Sequence, residues 1–300
     1  MLAQSKNLGL QEGIKVFCFP DTDTQSPIVW LSSGTTQEIE PVPEDIGYSP
    51  GAFVPKEPWR QPNLREYNLL CADQPISNNR TWELGSYIGV CRFPDEVLAP
   101  LEVILEELGT RARATIQDYQ PIPTHPGYES AITEIANYLP RYCLFSDRPK
   151  ILNVRVTQPG LKTATRDYCN NLPGMPYTGM HLDSWDRFPL RRRHKSRNRI
   201  CINLGREERF FLFINLTLME MFNALGLSDP DDIYKHYRGT NIGDEFMKQF
   251  PSYPVVKLRI GPKEAYIAPT DNLIHDASSL GKKYPDITLT CIGYFGSALD

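Results

Sequence analysis

Residues 176–205 read PYTGMHLDSWDRFPLRRRHKSRNRICINLG, and they decide how the rest of the chain can be interpreted. Within them, His181 and Asp183 lie two residues apart, ahead of a basic segment and an alternating apolar strand. Side chains at this spacing on an extended segment point to the same side. An imidazole and a carboxylate on one side can share a divalent metal ion, and His275 offers a distant third ligand. The sequence therefore predicts a metal centre formed by these three residues.

The composition is that of an ordinary globular protein. The chain has 300 residues, of which 41% are hydrophobic and 23% charged, and its net charge is -4. A negative net charge argues against a nucleic-acid binder, so any anion binding must be local. The 7 cysteines lack a CxxC spacing, which argues against a disulfide framework or zinc ribbon and favours a reducing compartment. Because no apolar run has the length of a signal peptide or a membrane span, we expect a cytoplasmic protein without a membrane partner.

The chain changes character near residue 150. Residues 1–150 carry short β-like runs, a proline-rich block that we expect to wrap over the surface, and supporting helices. Residues 151–300 carry roughly eight short strands separated by Gly and Pro turns, interrupted by a helical insertion at residues 216–253. Since the first part has too little regular structure to be autonomous, we expect a single domain spanning residues 1–300.

Apolar residues recur at helical spacing in two segments before the strands. The first segment, residues 94–119, predicts one long amphipathic helix. The second predicts a helix over residues 128–138 that ends before Pro140. The many short strands that follow predict a β-sandwich or jelly roll covered by these helices.

His181-Leu182-Asp183, followed by His275 in a predicted strand, resembles the HxD…H pattern of the iron(II)- and 2-oxoglutarate-dependent oxygenases. The likeness covers roughly residues 151–295, and the order of strands, HxD turn, insertion and distal histidine also agrees. The resemblance implies a mainly β fold with flanking helices and a double-stranded β-helix core of the jelly-roll, cupin-like type. It also implies Fe(II) as the metal, 2-oxoglutarate as the co-substrate and dioxygen as the oxidant.

The activity implied by the resemblance is oxidation, most simply hydroxylation, of an unactivated C–H bond in a small metabolite. Two other classes stay open. One is a non-catalytic or differently metallated cupin-like metal-binding protein. The other is an interaction protein in which the HxD residues form an ordinary polar turn and His275 is a buried structural histidine. The chain has only 5 histidines, and two of them fall where the pattern requires them, which favours the metal centre. The sequence leaves open the oligomeric state, the primary substrate and the reaction outcome among hydroxylation, desaturation, ring formation and demethylation.

The far carboxylate of 2-oxoglutarate requires a cation, and a bidentate arginine suits it best. Many members of the family place this arginine on the last strand, but here that strand carries Thr288 and Thr290 and no cation. Arg199 begins the strand after HxD, so we expect it to bind the far carboxylate instead. Asn203, on the same face of that strand, and the two threonines are expected as further contacts. The spacing leaves other cations open, namely Arg197, Arg209, Arg259 and the Lys282-Lys283 pair.

A basic run follows the HxD residues. It comprises eight side chains: Arg187, Arg191, Arg192, Arg193, His194, Lys195, Arg197 and Arg199. One interpretation is a solvated loop, as most charge runs are. The other is a cover over the metal centre, because residues 184–198 leave directly from the ligands. In that case Trp185 would shield the metal, and Arg191, Arg192 and Arg193 would attract an anionic small-molecule substrate.

Overall fold

The computed structural model describes residues 7–22, 24–38, 47–73, 85–109, 114–145, 148–166, 175–229 and 241–296. Parts of the predicted wrapping block and of the predicted insertion, residues 41–46 and 230–240, lie outside these ranges. None of the helices in the described ranges combines the length and the apolar character that crossing a bilayer requires.

Strands supply most of the regular structure. In chain order they are β1 Lys15–Cys18, β2 Val29–Leu31, β3 Thr35–Gln37, β4 Phe53–Pro55, β5 Tyr87–Arg92, β6 Lys150–Thr157, β7 Asn198–Asn203, β8 Arg209–Phe213, β9 Val256–Ile260, β10 Glu264–Ala268, β11 His275–Ser278 and β12 Asp286–Gly293. The α-helices are α1 Leu64–Leu70, α2 Asp95–Leu108, α3 Tyr128–Tyr138, α4 Leu218–Ala224 and α5 Asn241–Gln249. The prediction of a mainly β chain with flanking helices is confirmed.

Local sequence explains where several helices begin and end. Capping boxes start α1 at Asn63 and α4 at Thr217, where each cap side chain accepts from a backbone N–H of the first turn. The helix predicted over residues 128–138 is confirmed as α3. The prediction of one helix over residues 94–119 is wrong, because α2 ends at Leu108. Gly109 follows and packs tightly against the Tyr119 hydroxyl, where a Cβ would not fit, so the chain turns there.

The strands form two larger sheets and one hairpin. The six-stranded sheet has the order β1-β5-β10-β7-β12-β6, and the four-stranded sheet has the order β11-β8-β9-β2. Strands β3 and β4 form a separate pair. All neighbours are antiparallel except β1 and β5. Among the described strands the two larger sheets stay separate, so they do not close into a barrel.

The two larger sheets pack face to face. One apolar cluster joins Val90, Cys201 and Tyr266 of the six-stranded sheet to Phe211 and Phe213 of the four-stranded sheet. The opposite face of the six-stranded sheet packs against α2 and α3. Ile200 and Ile202 point to these helices, whereas Cys201 points to the space between the sheets. The alternation predicted for this strand is therefore confirmed, and Arg199 shares the inner face with Cys201.

Helices α4 and α5 cover the segment that carries HxD. Phe246 of α5 and Met221 of α4 belong to one buried cluster with Leu182 and Ile274. Leu182 lies between His181 and Asp183, and Ile274 directly precedes His275. Gly243 brings α5 so close that a Cβ there would lie 3.1 Å from a side-chain atom of each of these two residues. Packing of α5 therefore holds both ligand-bearing segments in place.

Candidate metal centre

His181 and His275 lie opposite each other on neighbouring extended segments. The N–H of His181 donates to the carbonyl of His275 at 3.0 Å, and the reverse hydrogen bond measures 2.8 Å. Residues paired in this way present their side chains on the same face, and the two ring centroids are 4.6 Å apart. Gly179 precedes His181 with a φ of 80°, in the left-handed region that favours glycine. The turn at Gly179 thus directs His181 toward the histidine that is distant in sequence.

Asp183 completes the group. Its backbone N–H donates to the carbonyl of Thr270 at 3.1 Å, which holds the residue beside the loop that leads to β11. Its carboxylate lies 3.5 Å from Nε2 of His275 and 3.9 Å from Nε2 of His181. One ligand atom from each of the three residues lies within 4.8 Å of the others. His181, Asp183 and His275 could therefore hold a metal ion, as predicted from the HxD spacing and the distal histidine.

The ring nitrogens are arranged as metal ligation requires. Nδ1 of His181 lies 2.8 Å from the carbonyl of Gly179, and Nδ1 of His275 lies 3.3 Å from the carbonyl of Leu273. A carbonyl can only accept, so each Nδ1 carries a proton, and Nε2 of each ring in its neutral form presents a lone pair. Nε2 of His275 is buried and makes no hydrogen bond to any described residue. A buried nitrogen lone pair without a donor is the feature that a metal ion would satisfy.

The electrostatics of the group also suit a divalent cation. Burial lowers the pKa of His275 to about 3, so its imidazole is neutral near pH 7. Burial by itself would raise the pKa of Asp183, but Arg199 and the two imidazoles hold that pKa below its ordinary value. Asp183 is therefore an anion over the whole physiological range. A neutral imidazole and a carboxylate are both in the protonation state that metal binding needs.

Arg199 contacts the metal centre itself. Its Nη2 donates to Oδ2 of Asp183 at 2.5 Å, and its guanidinium lies 5.6 Å from the ring centre of Trp185. Trp185 is 47% exposed and lies at the surface beside the group. The structure thus places Arg199 and Trp185, both predicted from sequence, next to the candidate ligands. Arg199, which was expected to bind the far carboxylate of 2-oxoglutarate, is therefore already paired with the carboxylate of Asp183.

The basic run divides into a buried part and an exposed part. Arg191 and Arg192 are exposed, whereas Arg193 is only 4% exposed. Arg193 lies 3.7 Å from the Asp271 carboxylate and donates to the carbonyl of Asp183 at 3.3 Å. Arg193 thus lies inward beside the buried carboxylate of Asp271, apart from the exposed Arg191 and Arg192, and its expected substrate contact stays a prediction. Arg197 is also engaged, since it donates through its side chain to Asp186.

Asp271 was not predicted and joins the HxD loop to the loop before β11. Its carboxylate accepts from the backbone N–H groups of Trp185 and Asp186 at 3.0 and 3.1 Å. With Arg193 it ties residues 184–198 to the body of the protein. No local pattern marks Asp271, because its partners come from a segment that is distant in sequence.

The remaining residues expected at the co-substrate site lie deeper between the sheets. Thr288 and Thr290 are buried on β12, opposite Asn203 and Cys201 of β7. The side chain of Asn203 is taken up by backbone, because it donates to the carbonyls of Glu207 and Ile260 and accepts from the N–H of Gly205. It stabilises the turn after β7.

A buried charge cluster lies at the same depth. Arg209 on β8 and Lys282 both pair with the carboxylate of Asp286, at 3.2 and 2.8 Å. All three side chains are at most 5% exposed, and Arg209 also lies 3.4 Å from the sulfur of Cys201. Two cations share one anion, so the cluster carries one positive charge in excess. Arg209 and Lys282 were open alternatives in the sequence, but their convergence on Asp286 required the three-dimensional structure.

Comparison with known proteins adds no relative. No protein-family model matches the chain, and the searches of curated proteins and of solved structures returned no match. The function must therefore be argued from the site itself.

Proposed function

We propose that this protein is an iron(II)- and 2-oxoglutarate-dependent oxygenase that hydroxylates an unactivated C–H bond of a small anionic or amino-acid-like metabolite. The proposal rests chiefly on the buried Nε2 of His275, which faces Asp183 and His181 and has no hydrogen-bond donor among the described residues. Two imidazoles and one carboxylate are the ligand set of non-haem Fe(II) oxygenases, and they leave coordination positions open. When bound, iron with a 2-oxo acid and dioxygen would supply the oxidising power that the hydroxylation requires.

The topology supports a double-stranded β-helix as the core. After β6, the chain passes through the His181 segment, which pairs with β11, and then to β7 in the other sheet. Strands β8 and β9 return to the four-stranded sheet, β10 to the six-stranded sheet, β11 to the four-stranded sheet and β12 to the six-stranded sheet. This alternation between two facing sheets is what a double-stranded β-helix would produce. The candidate ligands then lie at one end of the space between the sheets.

We assign the far carboxylate of 2-oxoglutarate to Arg209 in preference to Arg199. Arg199 is paired with Asp183, so its guanidinium lies against the metal ligand, where the near end of the co-substrate would be. Cys201 is two residues further along β7, about 6.6 Å deeper at the usual strand rise, and Arg209 and Thr290 both contact its sulfur. The excess positive charge of the Arg209 cluster favours an anion at this depth, since an uncompensated buried charge is costly.

The test of the proposed activity is the binding of the co-substrate to the metal. Anaerobic addition of 2-oxoglutarate to the iron(II)-loaded protein is expected to produce a weak visible charge-transfer band, because the keto and carboxylate oxygens chelate the iron. Glutarate, which has both carboxylates but no keto oxygen, is the matched control and should produce no band. Stoichiometric metal binding without the band would reject the proposal and indicate a differently metallated cupin-like binding protein.

The exposed arginines Arg191 and Arg192 suggest how an anionic substrate would be attracted. They lie on the loop that leaves the metal ligands, and Arg191 lies 3.9 Å from the exposed carboxylate of Asp229. We expect the double variant Arg191→Gln/Arg192→Gln to raise the apparent KM for the responding acid several-fold. Added salt should raise the KM of the wild type in the same direction, because exposed charges are screened beyond about 8 Å at physiological ionic strength.

The measurement is turnover of 2-oxoglutarate with a panel of amino and carboxylic acids at low and high salt. The control is Arg65→Gln/Arg141→Gln, which removes the same charge from two exposed positions on α1 and after α3. If both double variants behave alike, the basic run is a solvated loop and the substrate need not be anionic. Affinity for iron and for 2-oxoglutarate should stay unchanged in both variants.

A further inference from the structure

Asp276 is a buried carboxylate directly after the ligand His275. It lies on β11, and its side chain is 0% exposed. Its Oδ1 accepts hydrogen bonds from the backbone N–H groups of Ala164 and Thr165, at 3.0 and 3.1 Å, and from the Thr165 hydroxyl at 3.0 Å. The N–H of Ala277 also donates to this oxygen, at 2.6 Å. One oxygen of the carboxylate is thus fixed by four donors from two different segments.

The second oxygen has no such partners. Oδ2 of Asp276 is buried, makes no hydrogen bond to any described residue, and lies 3.4 Å from Nδ1 of His181. Nδ1 also lies 2.8 Å from the carbonyl of Gly179, so its proton is placed between two acceptors. Because Oδ1 is held by backbone, Oδ2 cannot turn away from the imidazole. A buried carboxylate oxygen left without a donor is costly, and the ring N–H of His181 is the donor in place to satisfy it.

The two histidines therefore differ in their support. Among the described residues, Nδ1 of His275 has the carbonyl of Leu273 as its hydrogen-bond partner, whereas Nδ1 of His181 has both a carbonyl and a carboxylate nearby. A carboxylate that accepts from the far nitrogen of a ligating histidine fixes the tautomer and ring orientation and makes the other nitrogen a stronger ligand. Nε2 of His181 is the nitrogen that faces Asp183.

We propose that Asp276 is a positioning residue of the metal centre, which holds His181 in the Nδ1–H tautomer and orients its Nε2 toward the metal. This inference rests on the metal centre of the proposed function. It adds a residue that no HxD…H pattern contains, because Asp276 acts through His181 and does not ligate the metal.

Besides facing His181, Asp276 anchors residues 164 and 165, and a test must separate these two roles. Through Thr165 it holds the segment whose carbonyl accepts from the N–H of Thr178, three residues before His181. A loss of metal binding could then arise from a displaced segment. Asp276→Asn addresses this, because the amide oxygen can still accept from residues 164 and 165 while the NH2 group replaces the oxygen that faces His181. An NH2 group opposite Nδ1 favours the wrong tautomer, with the proton on Nε2.

The experiment measures the affinity for Co(II), used as a spectroscopic probe in place of iron, by titration of the metal-free protein. Asp276→Asn is expected to bind Co(II) about 10- to 100-fold more weakly than the wild type. Two controls keep the Asp276 carboxylate and weaken the anchoring around it: Thr165→Val removes one donor to Oδ1, and Ser279→Ala removes the contacts of the nearby residues 158 and 161. Both should bind Co(II) nearly as tightly as the wild type, because neither change removes the oxygen of Asp276 that faces His181.

A second measurement needs only the wild type and covers the case in which Asp276→Asn does not fold. In the Zn(II)-loaded protein, the Nδ1 proton of His181 should resonate further downfield than that of His275, because a carboxylate oxygen lies 3.4 Å from Nδ1 of His181. The outcomes separate the two hypotheses. If the wild type binds neither metal, the proposed metal centre is rejected. If it binds metal but Asp276→Asn binds equally well, or the two ring protons are alike, only the role of Asp276 is rejected. Loss of affinity in Thr165→Val as large as in Asp276→Asn would reduce Asp276 to an anchor of the neighbouring segment.

Discussion

Alanine in place of His275 is expected to abolish stoichiometric metal binding, and His181→Ala and Asp183→Ala should do the same. Each change removes one of three ligand atoms that lie within 4.8 Å of one another, and two ligands cannot hold a labile divalent ion tightly. The loss should exceed the roughly 10- to 100-fold that changes behind the ligands cause. Metal content measured after gel filtration, with circular dichroism to confirm folding, provides the check.

His125→Ala is the matched control for the histidine variants. His125 lies away from the group and pairs with Glu107 at 3.1 Å on the protein surface. Its removal should leave metal content at the wild-type level. Full metal content in folded His181→Ala and His275→Ala would mean that the two imidazoles are structural, and the proposed activity would then have no metal centre to support it.

The metal ligands could be predicted because their chemistry is local. HxD brings an imidazole and a carboxylate to one side of an extended segment whatever the rest of the fold. His275 could be identified only because the chain has few histidines and one of them falls in a predicted strand. The residues that support the site could not be identified, since Asp271 contacts the HxD loop and Asp276 contacts His181 from segments that are distant in sequence. Asp276 follows a ligand in the sequence, but nothing in that adjacency indicates that its carboxylate reaches the other histidine.

The basic run is not exposed along its whole length, and the burial of Arg193 explains why. A series of arginines predicts a solvated surface, and Arg191 and Arg192 follow that rule. Arg193 does not, because Asp271 offers it a buried carboxylate that could be found only once the loop before β11 was placed beside HxD. A cation can be buried when it is paired, so charge density in the sequence does not by itself give exposure.

The fold shows the same division between local and distant causes. Strand β7 alternates between the helices and the inner face as its sequence predicts, because period-two patterning is a local property. Strand β5 was not predicted, although it lies between β1 and β10 in the larger sheet. It contains Gly89, a residue that usually interrupts strands. Here Gly89 leaves room for Phe19, whose ring would lie 2.6 Å from a Cβ at that position.

The depth of the site determines which arginine should bind the far carboxylate of 2-oxoglutarate. In the proposed function, a co-substrate bound to the metal at one end would extend along the inner face of β7, from Arg199 toward Cys201. Arg209 contacts that face at Cys201, whereas Arg199 pairs with the candidate metal ligand Asp183. A carboxylate placed near Arg209 would also balance the second cation of the Arg209, Lys282 and Asp286 cluster.

We therefore expect Arg209→Met to weaken 2-oxoglutarate binding roughly 30- to 4,000-fold while leaving iron affinity nearly unchanged. Loss of one partner from a buried charged pair costs about 2–5 kcal/mol, and each 1.4 kcal/mol corresponds to a factor of ten. Arg199→Met should instead lower the affinity for iron, because it leaves the Asp183 carboxylate without its guanidinium. Anaerobic titrations that follow the visible band give both affinities.

Lys282→Met distinguishes ligand binding from general damage to the cluster. It removes the other cation that pairs with Asp286 and leaves Arg209 in place. If it weakens 2-oxoglutarate binding as much as Arg209→Met does, the cluster acts through its overall charge or its packing. If Arg209→Met leaves the affinity unchanged and Arg199→Met abolishes it, the role returns to Arg199, as expected from the sequence.

Arg209→Lys should recover part of the affinity, because an ammonium group keeps the charge but cannot form two parallel hydrogen bonds with a carboxylate.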